Sequence, residues 1–409
     1  MLNKNNTREL AYLVTVDAVT PIEGYNRVEL AHVGGWTVVV GKGEFHAGDP
    51  AIYFEIDSKL PEVEPFINME FLAKKHYKIK TQKMCRSLSQ GLLMSAANFG
   101  WQIAEGDDCA IVDNEGNYHR VDEESRFLTK QLGITYAVAE DNKRKASNNP
   151  NAKINSALAR HPKIAKKYGK FIKNHKFAKW LFLLMCDDHR DKKSDWPAWV
   201  KKTDEERIQN MPWILNDKEP WVATEKIDGS STTFTMKRGK WPHKDEFYVC
   251  SRNVVFDKPD KTCFYDTNVY IEMAEKYDIY NKMKDLLYNH FADCEWITIQ
   301  GETYGPGIQK RDYHAPEHAF MAFNFITSKD GRWGTEKMVD LLQKQMGIPC
   351  VPVLDTNFIL PDTVEELLAY ATAESVCDHD LREGIVFRSK DGSKSFKAVS
   401  NEFLLKYHQ

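Results

Sequence analysis

Short β-branched and aromatic runs recur from Trp221 to the end of the chain, and charged residues stand where these runs end. Turn residues bound the runs, as is typical of β-strands. Between them the sequence predicts helices over 269–291, 335–346 and 364–372. Strands interspersed with a few helices in this order predict an α+β domain built on antiparallel sheets. No internal repeat or low-complexity tract interrupts it.

The first of these runs ends in TEKIDGSS, which places Lys226 between Glu225 and Asp228. A strand-end lysine beside a turn is usually a solvated surface residue. Its amine has an ordinary pKa of about 10.4, so it becomes a nucleophile only if positive charge or desolvation removes the proton. A lysine that attacked a phosphate would also need cations for phosphate oxygens, carboxylates for a metal and groups that hold a nucleotide.

Residues of each of those kinds follow downstream at strand ends. Taken singly, a strand-end Glu or Arg is most often a solvated turn residue, and a lone Phe in a strand is most often part of a core. Their order along the chain is the informative feature. The candidates are Arg252 in FYVCSRN, Glu302 in WITIQGETYG, Phe323 in AFMAFNF, Glu383 in LREGIVFRS, and Lys394 and Lys397 in KSFKAVS.

This order resembles that of the covalent nucleotidyltransferases, the superfamily of polynucleotide ligases and RNA capping enzymes. Lys226 to Gly229 match its K-x-D-G motif, and SRN, GETYG, FNF, EGIVFR and SFKAVS match the five motifs that follow. The resemblance covers residues 203–409 and implies an ATP-grasp-like ligase fold. A match to K-x-D-G alone would often arise by chance, but matches to all six motifs in the same order would not.

The resemblance implies a role for each matching residue. Lys226 would attack the α-phosphate of ATP and form lysyl-AMP, with Mg²⁺ or Mn²⁺ held near Asp228 and Glu383. Motif V of related ligases often has a second lysine, where this chain has Val399, so Lys394 or Lys406 could replace it. The remaining implied nucleotide-binding residues are Glu225, Ile227, Ser231, Arg252, Glu302, Phe323, Lys394 and Lys397.

The N-terminal half predicts a different architecture. Residues 8–115 contain short strands with Gly punctuation, including a hairpin around Asn114 to Gly116, which favours a small OB-like barrel. The stretch from Pro21 to Pro61 and SQGLLMS resemble the OB-like domain of a group of ATP-dependent RNA ligases that carry it before the transferase domain. Only twelve residues follow Lys397, so a C-terminal OB domain is not expected.

We therefore predict an OB-like RNA-binding domain at 1–120, a basic helical connector at 121–200 and an adenylyltransferase domain at 201–409. Residues 142–186 contain twelve Lys/Arg and no Asp or Glu, which indicates an anionic partner or a solvated helical linker. Lys74 to Gly91 is either a nucleic-acid face or an edge strand kept soluble by lysines. Thr203 and Glu206 predict a capping box that opens a helix.

Composition excludes several other classes. The 409 residues have a net charge of −3, and their eight cysteines form no CxxC pair. Cys186 and His189 stand at a ligand-like spacing, but nothing nearby completes a zinc site. The N-terminus lacks a signal peptide, and the most apolar run, 177–185, is too short to cross a bilayer. We expect a soluble, cytoplasmic monomer without a membrane partner.

The resulting prediction is an ATP-dependent RNA ligase that seals 3′-OH/5′-phosphate ends, most readily at a nick in duplex RNA. Two alternatives stay open at this stage. One is a DNA ligase or guanylyltransferase of the same superfamily. The other is an RNA-binding adapter that keeps the fold without catalysis, although Lys226, Glu302 and Glu383 are all retained.

Overall fold

The computed structural model describes residues 1–137, 167–168, 171–172, 175, 178, 196–202, 204–240, 242–256 and 268–407. The chain divides into two compact units, one formed by 1–135 with 196–409 and the other by 136–195. In the second unit, residues 167–168, 171–172 and 178 are helical. The basic segment 142–186 and the Cys186/His189 pair lie almost entirely outside the described residues, so the helical connector stays a prediction.

The N-terminal part is β-rich, as the sequence predicts. Its antiparallel sheets have the strand orders β1-β5-β9, β2-β3-β4 and β10-β11-β12, and β7 pairs with β8. Helix α1 (Glu70–Ala73) and short 3₁₀ turns join them. The strands are β1 Ala11–Thr15, β2 Ala18–Ile22, β3 Tyr25–Val33, β4 Trp36–Gly41, β5 Pro50–Phe54, β6 Ser58–Lys59, β7 Gln82–Met84, β8 Ser87–Ser89, β9 Leu92–Met94, β10 Gln102–Ala104, β11 Asp107–Val112, β12 Tyr118–Arg120 and β13 Thr135–Tyr136.

Two apolar cores fill this part. Alternating residues of β4, such as Trp36 and Val38, face one core together with Tyr53. The other core contains Phe54 and extends to Leu128 and Ile134, which lie beyond residue 120 in the sequence. The predicted hairpin around Asn114 to Gly116 is confirmed by the pairing of β11 with β12.

The C-terminal part contains two antiparallel sheets. A six-stranded sheet has the order β17-β16-β15-β18-β19-β20, and a four-stranded sheet has the order β21-β14-β22-β23. The strands are β14 Trp221–Lys226, β15 Ser230–Lys237, β16 Glu246–Ser251, β17 Val255–Phe256, β18 Trp296–Tyr304, β19 Ala319–Thr327, β20 Gly331–Arg332, β21 Val353–Phe358, β22 Gly384–Ser389 and β23 Ser395–Val399.

Four of the five described helices of this part fall within the three predicted helical stretches, and the last helix, Asn401–Tyr407, was not predicted. The first stretch is broken at Asp278, whose backbone is left-handed with φ 50°. The helices are α2 Val269–Lys276, α3 Ile279–Asp285, α4 Thr335–Val339, α5 Val364–Ala371 and α6 Asn401–Tyr407, and π-helical turns Leu286–His290 and Asp340–Gln345 extend α3 and α4.

The six-stranded sheet is apolar on one face and polar on the other. Phe234, Ile299 and Phe320, from three of its strands, pack against the helices on one face. Successive residues of a strand point to opposite faces, so their sequence neighbours lie on the other face. On the opposite face the hydroxyls of Thr235 and Thr298 lie 2.7 Å apart and are buried. The polar face is therefore available to line a cleft with the second sheet.

The predicted capping-box helix is wrong. Thr203 lies outside the described residues, and 204–206 are not helical. Instead the Lys397 N–H donates to the Glu206 carbonyl oxygen over 2.7 Å, which binds this segment to β23 in an extended form. Short 3₁₀ turns follow at Ile208–Asn210 and Pro212–Asn216, since Pro212 lacks the N–H that a continuous helix needs.

The OB-like part and the C-terminal part pack against each other within the first unit. Leu88 of β8 contacts Val399 of β23 and Leu404 of α6. The Arg207 guanidinium carbon lies 5.7 Å from the Trp36 ring centroid. Within the described ranges, no helix is long and apolar enough to cross a membrane. The domain bounds that the sequence predicts stay a prediction.

Candidate functional site: a lysine in a charged cleft

Lys226 stands at the end of β14, where the four-stranded sheet meets the cleft. It pairs in register with Gly384 of β22, and its Nζ lies 2.7 Å from Glu383 Oε2. A Cβ at Gly384 would lie 2.2 Å from the Ala398 carbonyl oxygen, so only glycine allows β22 and β23 to approach this closely. The glycine after Glu383 therefore positions that carboxylate beside the lysine.

The turn after Lys226 connects the two sheets. At Gly229 a Cβ would lie 2.3 Å from the Thr303 carbonyl oxygen, so the turn packs directly on β18. The Asp228 backbone N–H donates to the Tyr313 hydroxyl over 2.7 Å. The chain then enters β15, in which Ser231 pairs with Glu302 of β18. The K-x-D-G sequence thus leads from one wall of the cleft to the other.

The cleft around Lys226 has a volume of about 430 Å³. Strands of both sheets line it, and so do almost all the residues that the sequence analysis selected. These are Glu225, Lys226, Ile227, Asp228, Ser231, Arg252, Glu302, Phe323, Glu383 and Lys397.

Lys394 is the selected residue that the structure places elsewhere. Its Nζ donates to Asp217 over 2.8 Å, and 58% of its side chain is exposed. It precedes β23, whereas Lys397 lies within the strand. Lys406 also points away, because its Nζ donates to Asp380. Neither lysine lines the cleft as a substitute for the one that Val399 replaces.

The acidic groups of the cleft interact strongly with one another. Burial raises the pKa of Glu302 to about 8; Lys226 opposes this shift, and Glu383 and Asp228 add to it. Burial lowers the pKa of Lys226, but the carboxylates of Glu383 and Glu302 outweigh it and raise that pKa overall. Lys226 is therefore held as an ammonium in this arrangement.

Two cations lie near these acids. Burial, together with the charges of Lys226 and Arg207, lowers the pKa of Lys397 to about 8. Burial also lowers the pKa of Arg207. The Nη1 of Arg207 is buried and makes no hydrogen bond to the described residues. A partly buried cation with a buried donor that makes no hydrogen bond is arranged to meet an anion.

Phe323 occupies an irregular position in β19. The pairing of β18 with β19 shifts between Gln300 and Gly301, and Phe323 has no cross-strand partner there. The bulge turns Phe323 out of the helix-packed core and into the cleft, where it lies beside Ile227 and Val351. The structure thus places it in the cleft rather than in the core.

Sequence reasoning missed Arg388 as a cleft residue. It is only 2% exposed, and its guanidinium carbon lies 5.9 Å from the Phe323 ring centroid. Arg388 donates to Thr224 Oγ1 and Glu205 Oε1, and burial lowers its pKa to about 10. An arginine inside the apolar strand IVFRS was the available signal. Arg207 was also missed, and its sequence context carries no comparable signal.

Glu225 has a structural position. Its side chain accepts hydrogen bonds from Ser375 Oγ and the Val376 N–H, and its own N–H donates to the Pro352 carbonyl oxygen over 2.9 Å. Its carboxylate is therefore occupied by the segment that precedes Glu383. Arg252 is more exposed and forms an ion pair with Asp204 at the cleft edge.

Among the described residues, no three His, Cys, Asp or Glu side chains stand close enough to hold a metal ion by themselves. The cleft instead presents separate carboxylates, Asp228, Glu302 and Glu383. Magnesium is usually bound through one or two carboxylates together with waters and substrate phosphates. The donor set therefore fits a metal that arrives with a phosphorylated ligand.

Two antiparallel sheets enclose a charged cleft with a lysine at a strand end, and a β-rich domain lies beside them. This arrangement agrees with the ligase fold that the sequence resemblance implies. Residues 219–408 match the RNA ligase family, and residues 10–96 match an OB-fold domain. No curated protein is significantly similar to the chain in sequence.

Solved structures of the RNA ligase of Naegleria gruberi are similar over nearly the whole chain. The structure with pyrophosphate is 26% identical with a TM-score of 0.59, and the match covers 98% of this chain and 99% of that one. A mutant with ATP and Mn is 27% identical, with a TM-score of 0.61 and coverage of 98% and 100%. These findings support an RNA ligase domain at residues 219–408 with an OB-fold domain on its N-terminal side.

Proposed function

We propose that the protein is an ATP-dependent RNA ligase that joins 3′-OH and 5′-phosphate ends through lysyl-AMP and RNA-adenylate intermediates. The observation that carries the proposal is the position of Lys226 Nζ, inside a cleft that also contains carboxylates, buried cations and an aromatic ring. The match of residues 219–408 to the RNA ligase family supports the reaction class, and the ATP and Mn bound to the similar Naegleria protein support the nucleotide and the metal.

The first step would join the Lys226 amine to the α-phosphorus of ATP. A P–N bond forms, the bond between the α-phosphorus and its bridging oxygen breaks, and pyrophosphate leaves. The amine must first lose a proton, and Glu383 Oε2, at 2.7 Å, is placed to hold it. AMP would then pass to the RNA 5′-phosphate, and the RNA 3′-hydroxyl would displace it as the phosphodiester forms.

The nucleoside would lie against the walls that surround Lys226. Phe323 offers a ring face for adenine, since aromatic faces stack on bases. Arg252 and Glu302, on adjacent sides of the cleft, would hydrogen-bond the ribose. Ile227 and Glu225 would contribute through their backbone, because the Glu225 carboxylate is already occupied by Ser375 and Val376. Ser231 would line the same pocket.

The phosphates would meet Lys397 and Arg207. Both are partly buried cations that line the same cleft, and Arg207 Nη1 makes no hydrogen bond to the described residues. An anionic phosphate would stabilise the charged forms of Lys397 and Arg207. It would therefore raise the pKa of Lys397 from about 8. Arg207 thus supplies a second cation where related ligases have a lysine and this chain has Val399.

Asp228 and Glu383 would hold a divalent cation through its water shell, which agrees with the donor set described above. When bound, such a cation neutralises phosphate charge and lowers the pKa of a neighbouring amine. The chain's own contribution is to present the two carboxylates on either side of Lys226. Glu383 comes from β22 and Asp228 from the turn after β14, so the two lie on different elements.

The OB-fold domain and the basic segment 142–186 would bind the RNA. The substrate would be a nicked duplex, and the enzyme would act as a monomer. Lys75 and Lys78 line a partly apolar groove in the OB-fold domain, beside the half-exposed Phe71. Aromatic and cationic groups in this combination suit single-stranded nucleic acid. Discrimination against DNA would depend on the 2′-hydroxyl at the 3′-OH side of the break.

The test is incubation with [α-³²P]ATP and Mg²⁺, followed by denaturing electrophoresis. We expect a labelled protein band that forms with ATP in preference to GTP. Addition of nicked RNA with a 5′-phosphate should then discharge the label and produce a sealed strand. A parallel nicked DNA should be sealed much more slowly.

The outcomes separate the alternatives. A band formed with GTP, and no sealing, would indicate a guanylyltransferase. Equal sealing of DNA would indicate a DNA ligase. Absence of any covalent band, in a folded protein that still binds RNA, would indicate an adapter without catalysis.

A further inference from the structure

The hydroxyl of Tyr313 contacts the turn that follows Lys226, although the tyrosine itself does not line the cleft. It accepts the Asp228 backbone N–H over 2.7 Å, and the tyrosine is only 6% exposed. Tyr313 also packs with Ile227 and Val351 in a small buried cluster. A buried backbone N–H that loses its partner pays the desolvation cost without compensation. The turn that carries Lys226 and Asp228 thus depends on one side-chain hydroxyl.

Tyr313 is itself held by Arg311. The Arg311 guanidinium carbon lies 4.1 Å from the Tyr313 ring centroid, a cation–π contact at short range. Arg311 is only 3% exposed. Both Tyr313 and His314 have left-handed backbones, with φ of 58° and 49°. Non-glycine residues adopt this conformation only where the surroundings impose it.

Arg311 also binds the segment that leads into Glu383. Its Nη2 forms a buried ion pair with Asp378, and its Nη1 donates to the Leu381 carbonyl oxygen. Glu383 follows Leu381 by two residues. The two sides of the Lys226–Glu383 contact are therefore joined behind the cleft by one arginine and one tyrosine.

We propose that Tyr313 and Arg311 are positioning residues that hold the turn bearing Lys226 and Asp228 in register with Glu383. Their role rests on the proposed lysyl-AMP chemistry, which they would serve without touching ATP or RNA. Because Tyr313 contacts the K-x-D-G turn and Arg311 joins Tyr313 to the segment before Glu383, loss of either contact should shift both carboxylates relative to the amine. Misplacement by a fraction of an ångström at a reacting centre is enough to slow a reaction.

The test is Tyr313→Phe, which removes one oxygen and keeps the ring under Arg311. We expect single-turnover formation of lysyl-AMP to slow by about tenfold, with little change in the ATP concentration that gives half the maximal rate. Hydrogen exchange in a peptide spanning 226–231 should accelerate, since the Asp228 amide loses its acceptor. The thermal midpoint should remain close to that of the wild type.

The matched control is Tyr304→Phe. Tyr304 packs edge-on against Tyr313 at 5.2 Å, and its hydroxyl has no hydrogen-bond partner in the part of the chain that the structure describes. This variant should leave both the rate and the exchange of 226–231 unchanged. If Tyr313→Phe does not fold, Arg311→Lys replaces it, because lysine keeps the charge beside Asp378 but cannot bridge to Leu381.

The outcomes are distinct. Failure of the wild-type protein to form lysyl-AMP would overturn the proposed function itself. A wild-type adduct with unchanged rate or unchanged exchange in the variant would overturn the positioning role. Equal slowing in Tyr304→Phe would also overturn it, because the effect would then belong to the cluster as a whole.

Discussion

Asp113 in the N-terminal part and Glu302 in the cleft are both sequestered carboxylates, yet their surroundings differ. Asp113 accepts hydrogen bonds from the side chains of Asn117, His119 and Gln131. Burial opposes its ionisation, but these donors outweigh burial and lower its pKa. Among the described residues, no side chain donates a comparable set of hydrogen bonds to Glu302, and burial raises its pKa to about 8.

The difference lies in whether the fold itself supplies the hydrogen-bond donors that stabilise the charged form of a carboxylate. A carboxylate that its own fold supplies with donors stabilises that fold. A carboxylate that lies beside other carboxylates destabilises the protein without a ligand. A bound cation or hydrogen-bond donor would stabilise its charged form. In the N-terminal part, the fold itself supplies the donors that stabilise the Asp113 carboxylate. In the cleft, we expect a bound ligand to neutralise the remaining charges.

The largest expected effect is that of removing Lys226, the proposed nucleophile. Lys226→Ala and Lys226→Arg should both abolish the labelled protein-AMP band, because alanine lacks an amine and arginine cannot be deprotonated to attack. The Ala variant should still seal RNA that already carries a 5′-adenylate. The matched control is Lys390→Ala, an exposed lysine paired with Glu336, which should label normally. A full-strength band in either Lys226 variant would place the nucleophile elsewhere.

Loss of Glu383 should be the next largest effect. Glu383→Ala should slow lysyl-AMP formation by on the order of a hundredfold or more, since it removes the carboxylate that contacts the Lys226 amine and that is proposed to help hold the metal. Stability should change far less, because no core depends on this carboxylate. Metal titration of the single-turnover rate and thermal unfolding would measure the two effects. A collapse of the thermal midpoint in step with activity would make the residue structural.

The comparison itself predicts stability changes of opposite sign. Asp113→Ala should lower the free energy of unfolding by on the order of 3 kcal/mol, because several buried donors lose their acceptor. Glu302→Gln, measured without nucleotide or metal, should raise the thermal midpoint at pH 8 while it impairs adenylylation. Differential scanning calorimetry of both variants would measure the sign of each stability change. Stability changes of the same sign would remove the distinction drawn between the two carboxylates.

The pH dependence follows with its signs. The folded pKa of Glu302, about 8, exceeds its unfolded value of about 4.3, so its ionisation costs stability as the pH rises across that window. The folded pKa of Asp113 is lowered, so its contribution is present above about 3.9 and is lost as the pH falls below that value. Glu302→Gln should flatten the stability profile between about pH 4.3 and pH 8, and it should leave the loss of stability below about pH 3.9 unchanged.

Phe323→Leu should have a smaller effect. The variant keeps apolar bulk in the bulge but removes the ring face, so ATP affinity should fall by about fivefold to a hundredfold, as loss of base stacking does. Equilibrium binding of ATP to the folded variant would measure it. Unchanged affinity would remove Phe323 from the nucleotide pocket.

The smallest expected effect is at Lys394. Because its Nζ is paired with Asp217 outside the cleft, Lys394→Ala should change the rate of adenylylation by less than about twofold. Lys397→Ala is the matched comparison and should slow it strongly. Equal effects at the two lysines would show that the cleft extends to Lys394 when ATP binds.

Local sequence signals determined the strands, the helices and most of the cleft. The K-x-D-G turn, the strand-end acids and the lysine within β23 are short-range patterns, since alternation and glycine reflect the backbone that they occupy. The OB-fold was also predictable, because its strands are bounded by turn residues. The predicted helix at Thr203 failed since a non-local backbone contact from Glu206 to Lys397 overrode the local capping pattern.

Only the tertiary structure decided which charged groups meet. Arg207 lies nineteen positions before Lys226 in the sequence and beside Trp36 of the other domain in space, and no local pattern marks it. Lys394 and Lys397 are indistinguishable by type, yet one faces Asp217 and the other faces the cleft. The bulge at Phe323 and the link through Arg311 likewise depend on contacts between distant segments. Local propensity determines the elements, whereas burial and pairing between them determine the chemistry.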